Sequence, residues 1–271
     1  MKKTVTQTVI INACFLLLLG ISSFVTSPKI LHTAFGYLAY VIPLVIFVIF
    51  VRRSEEERHF ARLLPRAIDW GLVAPVLAPA ILGVMLLAFL TSFLFSLIGK
   101  GGGVEISEPI TEALFTRALL PAVLEELLFR YVPLTLIAPH SKKSALIISS
   151  ILFALAHCTL LQIPYAFFAG IVYMWVALMT DSILPSIILH LINNVIAVVW
   201  EKYIFGTDYV FTTLAVIGAA ALISLVVIFV LLPKYKRRSA FLFDRSDRTE
   251  LPVSVLYYTA AFGTAAILAV F

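Results

Sequence analysis

The chain has 271 residues, 62% of them hydrophobic and only 13% charged, and its mean hydropathy is +1.06. A soluble globular domain averages about 25% charged residues, so this composition excludes one and indicates a polytopic membrane protein. The net charge of +5 does not indicate nucleic acid, because the basic residues sit in short segments between apolar runs, which is a topology signal.

Apolar runs predict spanning helices over Val5–Thr26, Ile30–Val51, Trp70–Ile98, Ala113–Ile137, Ala145–Leu161, Ile163–Met179, Leu184–Val199, Val210–Leu232 and Pro252–Phe271. Each is near the roughly 20 residues a bilayer needs. The implied fold class is all-α: a polytopic transmembrane helix bundle of about eight or nine helices, forming one domain over residues 1–271. The first run is read as a transmembrane helix and not a signal peptide, because its small-residue site, Val25-Thr26-Ser27, is followed by Pro28. Pro75 and Pro79 predict a kinked or interfacial start to the third run. The glycines 101–103 form an outer loop without the Gly-Lys-Ser/Thr of a phosphate site. Cys14 and Cys158 make neither a disulfide framework nor a zinc-ligand spacing.

With the N-terminus placed in the cytoplasm, fifteen of the 20 Lys and Arg residues fall on the inner side and three on the outer. That asymmetry predicts a multi-pass protein of the cell membrane with an odd number of spans. The inner loop Lys234–Arg248 is basic and carries Phe241, Leu242 and Phe243, so membrane lipids are expected partners, at about 1 kcal/mol per basic residue near anionic head groups.

Three polar clusters interrupt the apolar runs. The first is Pro121-Ala122-Val123-Leu124-Glu125-Glu126-Leu127-Leu128-Phe129-Arg130. A charged side chain in hydrocarbon costs about 2.5–3.5 kcal/mol on insertion scales, so these charges need a partner, a wet cavity or a chemical role. Glu126 and Arg130 stand four apart in the favourable acid-first order. Glu125 lies about 100° round the helix, free to act elsewhere. The second cluster pairs Phe153 with His157, and the third is His190-Leu191-Ile192-Asn193-Asn194, in which His190 and Asn194 share a face. Three helices of a bundle can bring these groups to one cavity.

That set suits water activation. A carboxylate in a low-dielectric cavity can act as general base and then acid. Histidine and amide donors can stabilise an oxyanion. Two histidines and a glutamate also match a catalytic zinc set, although no His-Glu-x-x-His occurs. No Gly-x-Ser-x-Gly elbow suggests a serine nucleophile. A structural reading stands beside this one: Glu126–Arg130 as a register-fixing ion pair, with His157, Asn194 and Phe153 as interhelical contacts or core. The clusters together favour an intramembrane site, for catalysis or for ion coupling.

The clusters resemble the motifs of the CAAX-protease and bacteriocin-processing (CPBP, or Abi) family of intramembrane proteases. Glu-Glu-x-x-x-Arg is met by Glu125, Glu126 and Arg130, Phe-x-x-x-His by Phe153 and His157, and His-x-x-x-Asn by His190 and Asn194. Tyr131 stands where the family often has Gly, and Thr180-Asp181-Ser182 where it often has Thr-Gly-Ser. The resemblance implies a protease core of four helices over residues 113–199 and an endopeptidase acting on a membrane-associated peptide or protein. It also implies roles: Glu125 activating water with His157, His190 and Asn194 stabilising the oxyanion, and Glu126 with Arg130 holding the site together. Substrates would be of CAAX type or bacteriocin-like peptide precursors, with a link to self-immunity, and the basic inner loops fit a bacterial plasma membrane. Members are described both as metalloproteases and as metal-independent glutamic proteases, so the cofactor stays open. If a metal is used, zinc being one candidate, His157 and His190 are the ligand candidates. At about 1.5 Å per residue, His190 and His157 lie roughly 13 and 21 Å from the inner edge, which predicts a site inside the bilayer reached by water from the cytoplasm. Two other classes compete with the protease: a non-catalytic immunity protein, and a proton-coupled transporter, against which stands the lack of an inverted repeat.

Overall fold

In hydrocarbon the backbone must satisfy its own hydrogen bonds, so uncharged apolar runs become helices. The structure, a computed structural model, describes residues 2–24, 29–52, 70–98, 106–204, 207–238 and 240. Among these there are eight helices and no strand. They are α1 (Lys2–Phe24), α2 (Lys29–Arg52), α3 (Trp70–Leu97), α4 (110–136), α5 (Lys142–Ala156), α6 (Ile163–Thr180), α7 (Leu184–Tyr203) and α8 (Val210–Arg238). Five of them, α1, α2, α3, α6 and α7, are long and apolar enough to cross a membrane. The ninth predicted run, Pro252–Phe271, lies outside the described residues, as does the inner loop from residue 241 onward.

Helix α4 is helical throughout but not uniform. Ordinary α-turns over Leu120–Glu126 lie between two wider π-type segments, Leu114–Leu119 and Leu127–Tyr131. Such widened turns often accompany functional sites. Here the Glu125-Glu126 pair sits at the junction of the α-turn and the second wide segment. Proline explains part of this local structure. Pro133 has no N–H to give to the Phe129 carbonyl four residues earlier. The buried Ser149 hydroxyl of α5 donates to that carbonyl instead, which ties α4 to α5.

Helix α5 is shorter than its apolar run. The run predicts a span to Leu161, but the helix ends at Ala156, and at about 1.5 Å per residue its 15 residues reach only about 22 Å. His157 and Cys158 close the end with tighter i→i−3 bonds to Ala154 and Leu155. Cys158 then takes a left-handed backbone with φ 53°. His157 therefore stands at a helix terminus, not in mid-span. At the other end the Ser141 hydroxyl caps α5 by accepting from the Ser144 N–H at 3.0 Å.

The turn between α6 and α7 explains one departure from the family pattern. Asp181 sits at φ 49°, ψ 35°, a left-handed position that glycine occupies without strain and that aspartate tolerates. The Ser182 hydroxyl accepts from the Leu184 N–H at 3.2 Å and starts α7. Helices α5 and α6 approach closely through small residues, as membrane helices often do. A Cβ added at Gly170 would meet the Ser150 Cα at 3.0 Å and its carbonyl oxygen at 3.3 Å. Gly170→Val therefore has to spread α5 from α6, at an overpacking cost of about 1–3 kcal/mol. A thermal unfolding scan of the detergent-purified variant is expected to show a lower midpoint, and an unchanged midpoint would mean the two helices are not held this closely.

Candidate active site

The polar clusters meet. Glu125, Phe153, His157, His190, Asn193 and Asn194 all line one cavity of about 280 Å³, together with Arg117, Gln162, Tyr165 and Tyr173. Helix α4 supplies the carboxylates, the end of α5 the first histidine, and α7 the second histidine and the amides.

The two glutamates have separate surroundings. Glu126 is fully buried, and so is Arg130. The Arg130 Nε stands 3.2 Å from the Glu126 Oε2, close enough to pair the charges but not aligned as a hydrogen bond. The Arg130 guanidinium also lies over the Phe153 ring at 4.2 Å and near the Tyr173 ring at 5.5 Å, and its Nη1 reaches the Ser149 hydroxyl at 3.4 Å. The other Glu126 oxygen is 3.0 Å from the His190 Nδ1. Glu125 is 15% exposed and faces the cavity. Its Oε1 accepts a hydrogen bond from the Tyr40 hydroxyl of α2 at 3.1 Å, and its Oε2 is 3.9 Å from the His190 Nε2. His190 thus stands between the two carboxylates, one ring nitrogen toward each.

Phe153 is the hub of the packing. Its ring lies 4.9 Å from that of His157, 5.6 Å from those of His190 and Phe129, and 6.2 Å from Tyr173. Tyr173 stacks on His190 at 5.0 Å and 27°. The two histidines are thereby fixed by aromatic contacts as well as by hydrogen bonds. At His157 the Nδ1–H donates to the Phe153 carbonyl at 2.9 Å. A neutral His157 then keeps its Nε2 lone pair available as an acceptor.

No group of three His, Cys, Asp or Glu side chains among the described residues converges as a metal site. The donors as arranged do not make a zinc set.

One wall of the cavity is Arg117, whose side chain is 40% exposed and whose Nε donates to the Glu108 carboxylate. The Glu108 carboxyl is held below the ordinary glutamate range, first by a backbone N–H and then by the Arg117 guanidinium. The Lys202 Nζ of α7 donates to the Ile106 and Glu108 carbonyls at 3.1 and 2.7 Å. These groups lie at the end of the bundle where α4 and α6 start and α5 stops. Under the charge-derived orientation this is the outer end.

Residues 108–196 match a family described as Type II CAAX prenyl endopeptidase Rce1-like. The chain carries a CPBP-family domain. This CPBP domain is of the CAAX-type intramembrane protease family, and with its apolar helices the chain is a multi-pass membrane protein. The match runs from the start of α4 through most of α7. No curated protein and no solved structure shows significant similarity to the chain.

Two tyrosines of the site escape sequence reasoning. Tyr40 lies outside the matched residues, and Tyr173 sits in an apolar helix where nothing marks a tyrosine off from core. Breaking the buried ion pair is expected to be costly. Arg130→Met leaves Glu126 charged and without its cation, a loss of about 3–5 kcal/mol. Thermal unfolding of purified Arg130→Met should show a large drop that Glu126→Leu in the same chain partly restores, and strict additivity of the two changes would refute the pairing.

Proposed function

We propose that this chain is an endopeptidase that cuts membrane-associated peptides with a water molecule activated by Glu125. One observation carries the reading: Glu125, the partly exposed member of the glutamate pair, faces a single cavity shared with His157, His190 and Asn194. The substrate class is that of the CAAX-type family, a peptide or protein whose cleavage site reaches the membrane, with bacteriocin-like precursors as the bacterial counterpart.

Glu125 takes a proton from water as the water oxygen bonds to the scissile carbonyl carbon. The carbonyl π pair moves onto oxygen, giving a tetrahedral oxyanion. When His190 carries both ring protons, its Nδ1–H rests on Glu126 and its Nε2–H faces the cavity, where with the Asn194 amide it can stabilise that oxyanion. The proton on Glu125 then passes to the leaving nitrogen, the C–N bond breaks, and the carboxylate is restored. His157, with Nδ1–H on the Phe153 carbonyl, offers Nε2 as a second acceptor for the water protons. Glu126 and Arg130 hold His190 in place.

The protein sits in the cell membrane with its N-terminus in the cytoplasm, which the distribution of Lys and Arg supports.

Two experiments test this reading. In proteoliposomes supplied with a quenched fluorescent farnesylated CAAX peptide, Glu125→Gln should abolish turnover while leaving the thermal midpoint near wild type. His190→Ala and Asn194→Ala should each lower kcat by about 10²–10³. A Glu125→Gln protein as active as wild type would refute the base. For topology, Thr207→Cys in a Cys14→Ser, Cys158→Ser background should react with a membrane-impermeant maleimide on intact cells. Labelling confined to inverted vesicles would reverse the orientation.

A further inference from the structure

Glu125 does not hold its own conformation. A glutamate has three rotatable side-chain bonds, and a general base needs one oxygen kept in reach of the water it deprotonates. Within the matched domain Glu125 faces His190, whose Nε2 at 3.9 Å is too far for a hydrogen bond. The hydrogen bond that does form comes from α2, where the Tyr40 hydroxyl meets Oε1 at 3.1 Å.

Tyr40 is itself held. Its ring lies 4.7 Å from that of Phe15 on α1, and Phe15 meets Phe129 edge-on at 5.6 Å. Phe129 is one turn beyond Glu125 on α4. The contacts therefore form a closed loop from Glu125 through Tyr40 and Phe15 back to α4. They dock the α1–α2 pair beside the carboxylate. With Oε1 taken by Tyr40, Oε2 is the oxygen turned toward His190 and the cavity.

We propose that Tyr40 is a positioning residue: its O–H fixes Oε1 of Glu125 so that Oε2 is presented to the attacking water, and α2 thereby completes a site whose other members lie in residues 108–196. This rests on the reading of Glu125 as the base. A buried tyrosine hydroxyl needs some partner in any membrane protein, so the test must separate positioning from simple satisfaction of the phenol.

Tyr40→Phe keeps the ring and removes the donor. Tyr37→Phe, one turn earlier on α2, is the control. Two readouts are taken on the full chain in proteoliposomes. The first is the infrared carboxylate band of Glu125, isolated as the difference between a protein and its Glu125→Gln counterpart. The second is turnover of the quenched farnesylated CAAX peptide. The proposal expects the band to shift in Tyr40→Phe and not in Tyr37→Phe. It expects kcat to fall by about ten- to a hundredfold in Tyr40→Phe, the size of a lost hydrogen bond to a charged group, with KM little changed. If Tyr40→Phe does not purify folded, Phe15→Leu, which loosens the ring but keeps the hydroxyl, should shift the band and lower kcat to a smaller degree. An unmoved band overturns the proposal whatever the turnover. A shifted band with unchanged kcat also overturns it, leaving the protease reading intact. A wild-type chain that does not cut the peptide, and whose membrane peptides match those of Glu125→Gln, removes both.

Discussion

A fully buried ion pair sets the terms for the rest of this structure. Glu126 and Arg130 have no exposed side-chain surface, and neither charge can stay in a low-dielectric interior without compensation. Their mutual contact is close but poorly aligned, so the compensation is shared among neighbours. Arg130 draws on Ser149 of α5 and on the faces of Phe153 and Tyr173, while Glu126 draws on His190 of α7. Serving one pair of charges therefore recruits α4, α5, α6 and α7. Packing alone could slide these helices past one another, but a buried charge fixes the register, because any slip leaves it bare.

The same constraint separates the roles of two adjacent glutamates. Glu126 is committed to Arg130 and His190, and Glu125, one residue earlier, is turned to the cavity. The widened turn that begins at Leu127 lies directly after the pair, where the chain serves a buried ion pair and a cavity within one helical turn. His190 joins the two glutamates, since its Nδ1 meets the buried carboxylate and its Nε2 faces the one that lines the cavity. Tyr173 stacks on its ring and Phe153 meets it edge-on.

Much of this was legible in the sequence, for physical reasons. Charges in hydrocarbon are expensive enough that Glu125, Glu126, Arg130 and His190 stand out against any apolar background, and i, i+4 spacing predicted the Glu126–Arg130 pairing. The apolar runs located the eight described helices, because length and lack of charge suffice when backbone bonding must be internal. The end of α5 was not legible. Cys158 takes a left-handed backbone without being glycine or asparagine, so nothing in Ala145–Leu161 announces the stop at Ala156. The wide turns in α4 have no compositional signature. Tyr40 and Tyr173 were hidden because tyrosine in an apolar helix is ordinary, and only the fold shows that these two meet Glu125 and His190.

The central claim is that Glu125 makes this chain cut peptides. The most direct measurement compares the N-termini of membrane and secreted peptides from cells expressing the wild-type chain with those from cells expressing Glu125→Ala at matched levels. New N-termini appearing only with wild type are predicted; they would name the substrate and place the cut relative to the membrane. Identical peptide sets, with the variant retaining the full biological effect of the wild type, would contradict the account and make the chain a non-catalytic binding or immunity protein built on a protease fold.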